Sequence, residues 1–334
     1  MKLIERLAAR FPSLANSNLD ATDYEIRVKS ARTNATIFVA RKILQQIFLM
    51  PFYLLLAAPL ALAGAGAWLW ALDRNERAVL RAYCRRFWYY PSLCIHKTLE
   101  GRRFRSVALR SPCLEIGCED GSMTVLHFPG MTFDVGVEYI EANRPVSGVH
   151  RDVVIAGLPH LPAPWTGHFR GVALVHVIDH IPDLALALAE LRRITAPGGQ
   201  VCLSGFTHGY PTHVRAASLG ALTPAWLERH KGFHHFLPEA EWRHQFAAAG
   251  FRVTRYEPFL GGLRGRLWVV LHTLFEINGS NDLFYAADRL GLVPRLLRNG
   301  LFAPFTTVLT AFFLHAPIEP LPCHFYAELE AIAA

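Results

Sequence analysis

From Pro112 to Phe259, short apolar runs alternate with helical stretches, and this beat restricts the possible folds more than any other feature. CLEIGCEDGS reads as a strand ending in a glycine-containing turn, FDVGVEYI as a second strand with an acid near its end, VVIAGL as a third and FRGVALVHVI as a fourth. PDLALALAELRRITAPGG predicts a helix: Asp183 stands at its N-cap, Leu184, Leu188 and Leu191 share a face, and Pro197-Gly198-Gly199 stops it. QVCLSGF is a fifth strand, PEAEWRHQFAAAGF a helix ended by Gly250, and FRVTRYEPF a sixth strand. Near the end, CHFYAELEA alternates like a strand. Strands alternating with helices predict an α/β fold with a doubly wound, mostly parallel sheet.

A second feature lies outside that beat. The 30 residues 43–72 carry no charge, and Ile47 to Leu72 is almost wholly apolar. Spanning a bilayer takes about 20 helical residues, so residues 43–72 are read as a membrane segment. Trp68 and Trp70 suit an interfacial belt. Five basic residues precede the run within 20 positions (Arg27, Lys29, Arg32, Arg41, Lys42), and five follow it (Arg74, Arg77, Arg81, Arg85, Arg86). That tie, with Pro51, Pro59, Gly64 and Gly66 inside the run, favours a re-entrant segment over a single span. The alternative is a buried core helix over 47–72. Apolar residues make up 52% of the chain and charged ones only 18%, which excludes a disordered or highly charged protein. The net charge of +7 fits anionic headgroups or nucleic acid, but the basic residues cluster beside the apolar run. No nucleic-acid partner is expected.

The remaining segments complete the plan. Residues 1–42 form a polar lead-in with a short amphipathic helix at Leu3–Phe11. Residues 73–110 form a basic helical linker in which DRNERAVLRAYCRRFWYY suits either a surface-lying helix or an ordinary helix that packs its aromatics on the next domain. Residues 111–257 are the α/β core, 258–321 an apolar helical insertion or lid, and 322–334 the terminal strand. Six cysteines lie scattered without a C-x-x-C pair, so neither a disulfide framework nor a zinc site is written here. His230, His234 and His235 are close in sequence but lack a carboxylate pattern, and no metal is expected. A hydrolase triad is unsupported, because G-x-S-x-G is absent.

In a doubly wound sheet, ligands bind beyond the carboxyl ends of the strands. The first turn, Glu115-Ile116-Gly117-Cys118-Glu119-Asp120-Gly121-Ser122, occupies that place, and Glu138 follows Gly117 by 21 residues. An acid there accepts hydrogen bonds from ribose hydroxyls. LEIGCEDG, HVIDHIPDLALALAELRRITAPGG and HHFLPEAEWRHQFAAAGFRV together resemble the class I S-adenosylmethionine-dependent methyltransferases, near the type 11 group, over about residues 111–257. A dehydrogenase turn would read G-x-G-x-x-G, and this one reads G-C-E-D-G-S.

The resemblance implies a seven-stranded Rossmann-like sheet and S-adenosyl-L-methionine as cofactor. Glu115, Gly117 and Gly121 would line its methionine end, with Cys118 also among the cofactor-binding residues, Glu138 would hold the ribose with Tyr139 beside the adenine, and His176 to Asp179 would sit under the methionyl part. Two departures stand out: Glu119 replaces the middle glycine, and Gly157 stands where an acid often faces the adenine amino group. Methyl transfer to a hydroxyl benefits from a general base. His176, His180, His208, His213, His234 and His235 lie in predicted loops bordering the site. His208, after strand five, and His176 are the candidate catalytic residues. The expectation is a membrane-associated O-methyltransferase facing the cytoplasm, with membrane lipid as a partner and an amphipathic or lipid-linked acceptor. The alternatives are a non-catalytic membrane-anchored scaffold and a soluble small-molecule methyltransferase.

Overall fold

Seven of the apolar runs become strands of one sheet in a computed structural model that describes residues 72–88, 90–140, 148–273, 303–314 and 320–332. The strands are β1 (Cys113–Ile116), β2 (Phe133–Glu138), β3 (His150–Ile155), β4 (Phe169–Val175), β5 (Thr195–Phe206), β6 (Phe251–Phe259) and β7 (His324–Ala331). Their order is β3-β2-β1-β4-β5-β7-β6. The first five pair in parallel, and β7 runs antiparallel between β5 and β6. All four residues of β1 are buried, as parallel strands covered on both faces require.

Nine helices are described: α1 (Arg74–Arg86), α2 (Pro91–Phe104), α3 (Ser122–His127), α4 (Leu184–Ile194), α5 (Gly209–Ala217), α6 (Pro224–Lys231), α7 (Glu239–Ala248), α8 (Gly262–His272) and α9 (Ala303–Leu314). Asp183 caps α4 as expected, accepting from Leu186 N at 2.9 Å. The helix ends earlier than the Pro197 stop suggests. Thr195 is already extended, and its hydroxyl donates to Leu191 O at 2.6 Å, so β5 begins five residues before Gln200. Gly250, at φ +83°, follows α7 as predicted. Helices α5 and α6 were not predicted. His213, expected in a loop, lies on α5 with its Nε2 3.0 Å from Leu321 O.

The chain divides into two compact units. The described residues of Leu99–Glu228, Phe233–Arg266 and Pro317–Ala334 form the sheet unit. Its core includes Leu114, Val172, Leu203, Leu188, Trp242 and Phe325. Phe325 lies 4.8 Å from Trp242 and stacks on Tyr256 at 5.1 Å. Burying each such side chain contributes about 1.5–3 kcal/mol.

The described residues of Met1–Thr98, Arg229–Gly232 and Leu267–Ala316 form the second unit. Asp73 and Glu76 make a capping box at the start of α1. The helix buries Leu80, Tyr83 and Cys84 and exposes Arg74, Ala78, Arg81 and Arg85. Phe87 and Trp88 are buried, so these aromatics face inward rather than outward as a surface-lying helix would show them. Cys84 and Cys94, ten residues apart, bring their sulfurs to 3.4 Å. Among the described residues no helix is long and apolar enough to cross a membrane. The predicted segment lies outside them except for Leu72, as do the Leu3–Phe11 helix and 274–302 and 315–319 of the predicted lid.

Candidate cofactor and acceptor site

The turn after β1 carries three left-handed residues: Gly117 at φ +75°, Glu119 at +43° and Gly121 at +72°. The amides of Gly117 and Cys118 both donate to Val137 O, at 2.8 and 3.2 Å, tying the turn to β2. A Cβ on Gly117 would stand 2.4 Å from Val177 Cγ2, so only glycine lets this turn approach the β4 loop. Glu119 sits in a conformation that favours glycine, which explains the residue usual there. Glu119→Gly should therefore stabilise the fold by about 1 kcal/mol, read by urea denaturation, and leave cofactor affinity within about threefold. A tenfold loss of affinity would show instead that the Glu119 side chain touches the cofactor.

Glu138 ends β2 and is 5% exposed. Its Oε2 accepts from Glu119 N at 2.8 Å and its Oε1 from Ile140 N at 3.1 Å. Two amides thus fix the carboxylate, and each oxygen keeps a further lone pair for a hydroxyl. Tyr139 is exposed, with its ring edge 3.0 Å from where a Cβ on Gly157 would lie. The two departures from the family pattern are thereby accommodated: Glu119 lends its amide to Glu138, and Gly157 makes room for Tyr139.

Glu115, Cys118 and Asp179, also expected at the cofactor, are buried. Glu115 directs its carboxylate into the protein, where His150 Nε2 lies 2.6 Å away and Thr124 Oγ1 donates at 2.7 Å. His150 reaches Glu115 across β2 at Gly136, whose absent Cβ would meet the imidazole at 2.7 Å. Cys118 is buried. Burial, with Glu115 and Glu138 adding to it, pushes its thiol up to about 12, so it stays protonated and unreactive. Asp179 is wholly buried, with Oδ1 accepting from Phe206 N at 2.8 Å and Oδ2 lying 2.8 Å from His176 Nδ1.

His176 follows β4 at φ +52°. Its Nδ1 lies 2.8 Å from Asp179 Oδ2 and its Nε2 3.3 Å from Glu100 Oε1. His208 stands at the N-cap of α5, its N donating to Leu237 O at 3.3 Å. Its Nδ1 is buried without a hydrogen-bond partner among the described residues. His180 lies against Phe233, His234 lies 3.5 Å from Glu228, and His235 Nε2 lies 2.6 Å from Ile181 O. Aromatic rings gather beyond β5: Phe206 stacks on Tyr210 at 4.2 Å and lies 4.7 Å from Phe233. Phe233 and Phe236 are half-buried.

The sequence reading missed Glu100, His127, His150 and Ser204. Only the geometry joins them, since they come from α2, α3, β3 and β5.

A family model described as a methyltransferase domain matches residues 91–256. Ubiquinone biosynthesis O-methyltransferase of Xanthomonas oryzae pv. oryzae is 28% identical over 130 residues, covering 37% of this chain and 54% of that protein. The same figures hold for the enzyme of that name from Xanthomonas axonopodis pv. citri. The chain thus spans about half the length of these curated relatives. Among solved structures, YcgJ of Bacillus subtilis is 14% identical with a TM-score of 0.41, covering 71% of this chain and 99% of that one. Haemonchus contortus phosphoethanolamine N-methyltransferase 2, solved with S-adenosyl-L-methionine, is 15% identical with a TM-score of 0.41, covering 72% and 52%.

Proposed function

We propose that the chain, matched over residues 91–256 by a methyltransferase-domain model, is a class I S-adenosylmethionine-dependent methyltransferase that methylates a hydroxyl of an amphipathic or lipid-linked acceptor. S-Adenosylmethionine is the cofactor, and when bound it supplies a methyl group on a sulfonium. The observation that carries the reading is Glu138, a carboxylate fixed by two backbone amides at the end of β2 with lone pairs to spare. It would hold the ribose hydroxyls. Gly117 and Gly121 would bring backbone to the methionine end, and Tyr139 would lie beside the adenine.

On the acceptor side, His208 is the general base. His208 Nδ1 has no hydrogen-bond partner among the described residues and so is uncommitted, whereas both nitrogens of His176 already face carboxylates. The half-buried rings of Phe233 and Phe236 suit an apolar acceptor. The relatives' names support oxygen as the acceptor atom. The uncharged run 43–72 and its basic flanks support attachment to a membrane, with the catalytic unit facing the cytoplasm.

Isothermal titration tests the cofactor half. The full chain should bind S-adenosylhomocysteine, and Glu138→Ala should weaken binding by about 1–3 kcal/mol, the range for losing a hydrogen bond to a charged group. No binding by the wild-type chain would end the enzyme reading.

A further inference from the structure

Glu100 lies on α2, ahead of the predicted core, and is fully buried. Ser204, His176 and His127 each reach its carboxylate. Ser204 Oγ donates to Oε1 at 2.6 Å, and His176 Nε2 lies 3.3 Å from the same oxygen. His127 Nε2 lies 3.2 Å from Oε2. Ser204 Oγ also accepts from His176 N at 3.1 Å. His176 is therefore held at its backbone amide and at both ring nitrogens.

That hold has a purpose in the backbone. His176 leaves β4 at φ +52°, a conformation that a β-carbon resists. Such a residue persists only where its surroundings fix it. The turn it begins, Ile178–His180, is pinned in turn: Asp179 accepts from Phe206 N through its side chain and from His234 N, at 2.8 Å, through its carbonyl.

We propose that Glu100 is the positioning residue of the β4 loop: its carboxylate locks His176, and through His176 the Asp179 turn, in the shape that receives the methionyl end of the cofactor. The proposal rests on the methyltransferase reading above and adds a residue that contacts neither cofactor nor acceptor.

Hydrogen-bond arithmetic separates the variants. His127 Nδ1 lies 3.0 Å from Met123 O and so carries a hydrogen toward it. The Nε2 of His127 can then accept from an amide placed at Oε2. Glu100→Gln would keep an oxygen for Ser204 and His176 and turn its NH2 to His127, so all three contacts survive. Glu100→Ala removes all three. His127→Ala removes only the contact remote from His176.

The test titrates S-adenosylhomocysteine into full-length wild type and these variants and records thermal unfolding of each. Glu100→Ala should raise Kd by about tenfold or more, while Glu100→Gln and His127→Ala stay within about threefold. His127→Ala should still lower the unfolding temperature, which separates positioning from stability. The proposal is overturned if Glu100→Ala binds as wild type does, or if His127→Ala loses as much affinity. Where Glu100→Ala does not fold, Glu100→Met carries the test: it fills much the same space but offers His176, Ser204 and His127 no carboxylate, and an unchanged Kd overturns the proposal. A wild-type chain that does not bind would overturn the enzyme reading instead.

Discussion

Glu115→Ala should destabilise the protein by about 3–5 kcal/mol, the summed cost of leaving buried His150 and Thr124 without the carboxylate they bond to. The side chains of Glu115 and His150 are 4% and 1% exposed and meet at 2.6 Å. Without Glu115, the imidazole is stranded: its Nδ1 has no partner among the described residues, and its Nε2 loses the one it had. Thr124 loses its acceptor as well. Each unsatisfied buried group costs about 1–3 kcal/mol, so the separate losses reach the same range. Urea denaturation followed by circular dichroism reads the effect. The double variant Glu115→Leu/His150→Leu should lose less than Glu115→Ala, because it removes both polar partners together. A loss below about 1 kcal/mol for Glu115→Ala would show that solvent reaches the pair.

This outcome bears on what a sequence can say about a site. The turn at Gly117 was legible because glycine spacing after an apolar strand reports a backbone shape. Glu138 was legible because its distance from the turn follows from the length of one β-α-β unit. Backbone requirements repeat along the chain, and so they leave a pattern. Side-chain destinations do not. Glu115 and Glu138 are both acids at strand ends, yet one points to His150 across Gly136 and the other takes two amides at the surface of the turn. Nothing local distinguishes them. Mutating the first should change stability, and mutating the second should change cofactor affinity.

Glu100 was hidden for a related reason. It sits in PSLCIHKTLEGRRF, where an acid before Gly-Arg-Arg reads as an ordinary solvated residue. Its burial depends on Ser204 and His176, which lie about 104 and 76 positions away along the chain, and side-chain contacts of that range leave no periodic signal. The early end of α4 was closer to legible. Thr195 bonds back to Leu191 O, a local contact that Thr-Ala-Pro after a leucine-rich helix can suggest.

Deleting residues 43–72 should move the protein from the membrane fraction to the supernatant, a change of nearly its whole population. Two forces would hold the intact chain to a bilayer, and salt separates them. The basic flanks act through charge, which about 1 M salt screens to a Debye length of about 3 Å. The 30 uncharged residues act through apolar burial, about 0.8 kcal/mol per buried CH2, which salt does not weaken. The intact chain should therefore stay in the pellet through a high-salt and a carbonate wash, and the deletion variant should not. Exposed Arg74, Arg81 and Arg85 on α1 would give the variant at most a salt-sensitive residue of binding. Topology follows from thiol labelling, which is clean because all six native cysteines are buried. Ser30→Cys and Ala78→Cys should both react from the cytoplasmic side, since five basic residues flank the run on each side. Labelling of the two positions from opposite sides would establish a single span. An intact chain that salt or carbonate removes would leave residues 43–72 as buried core and end the membrane reading.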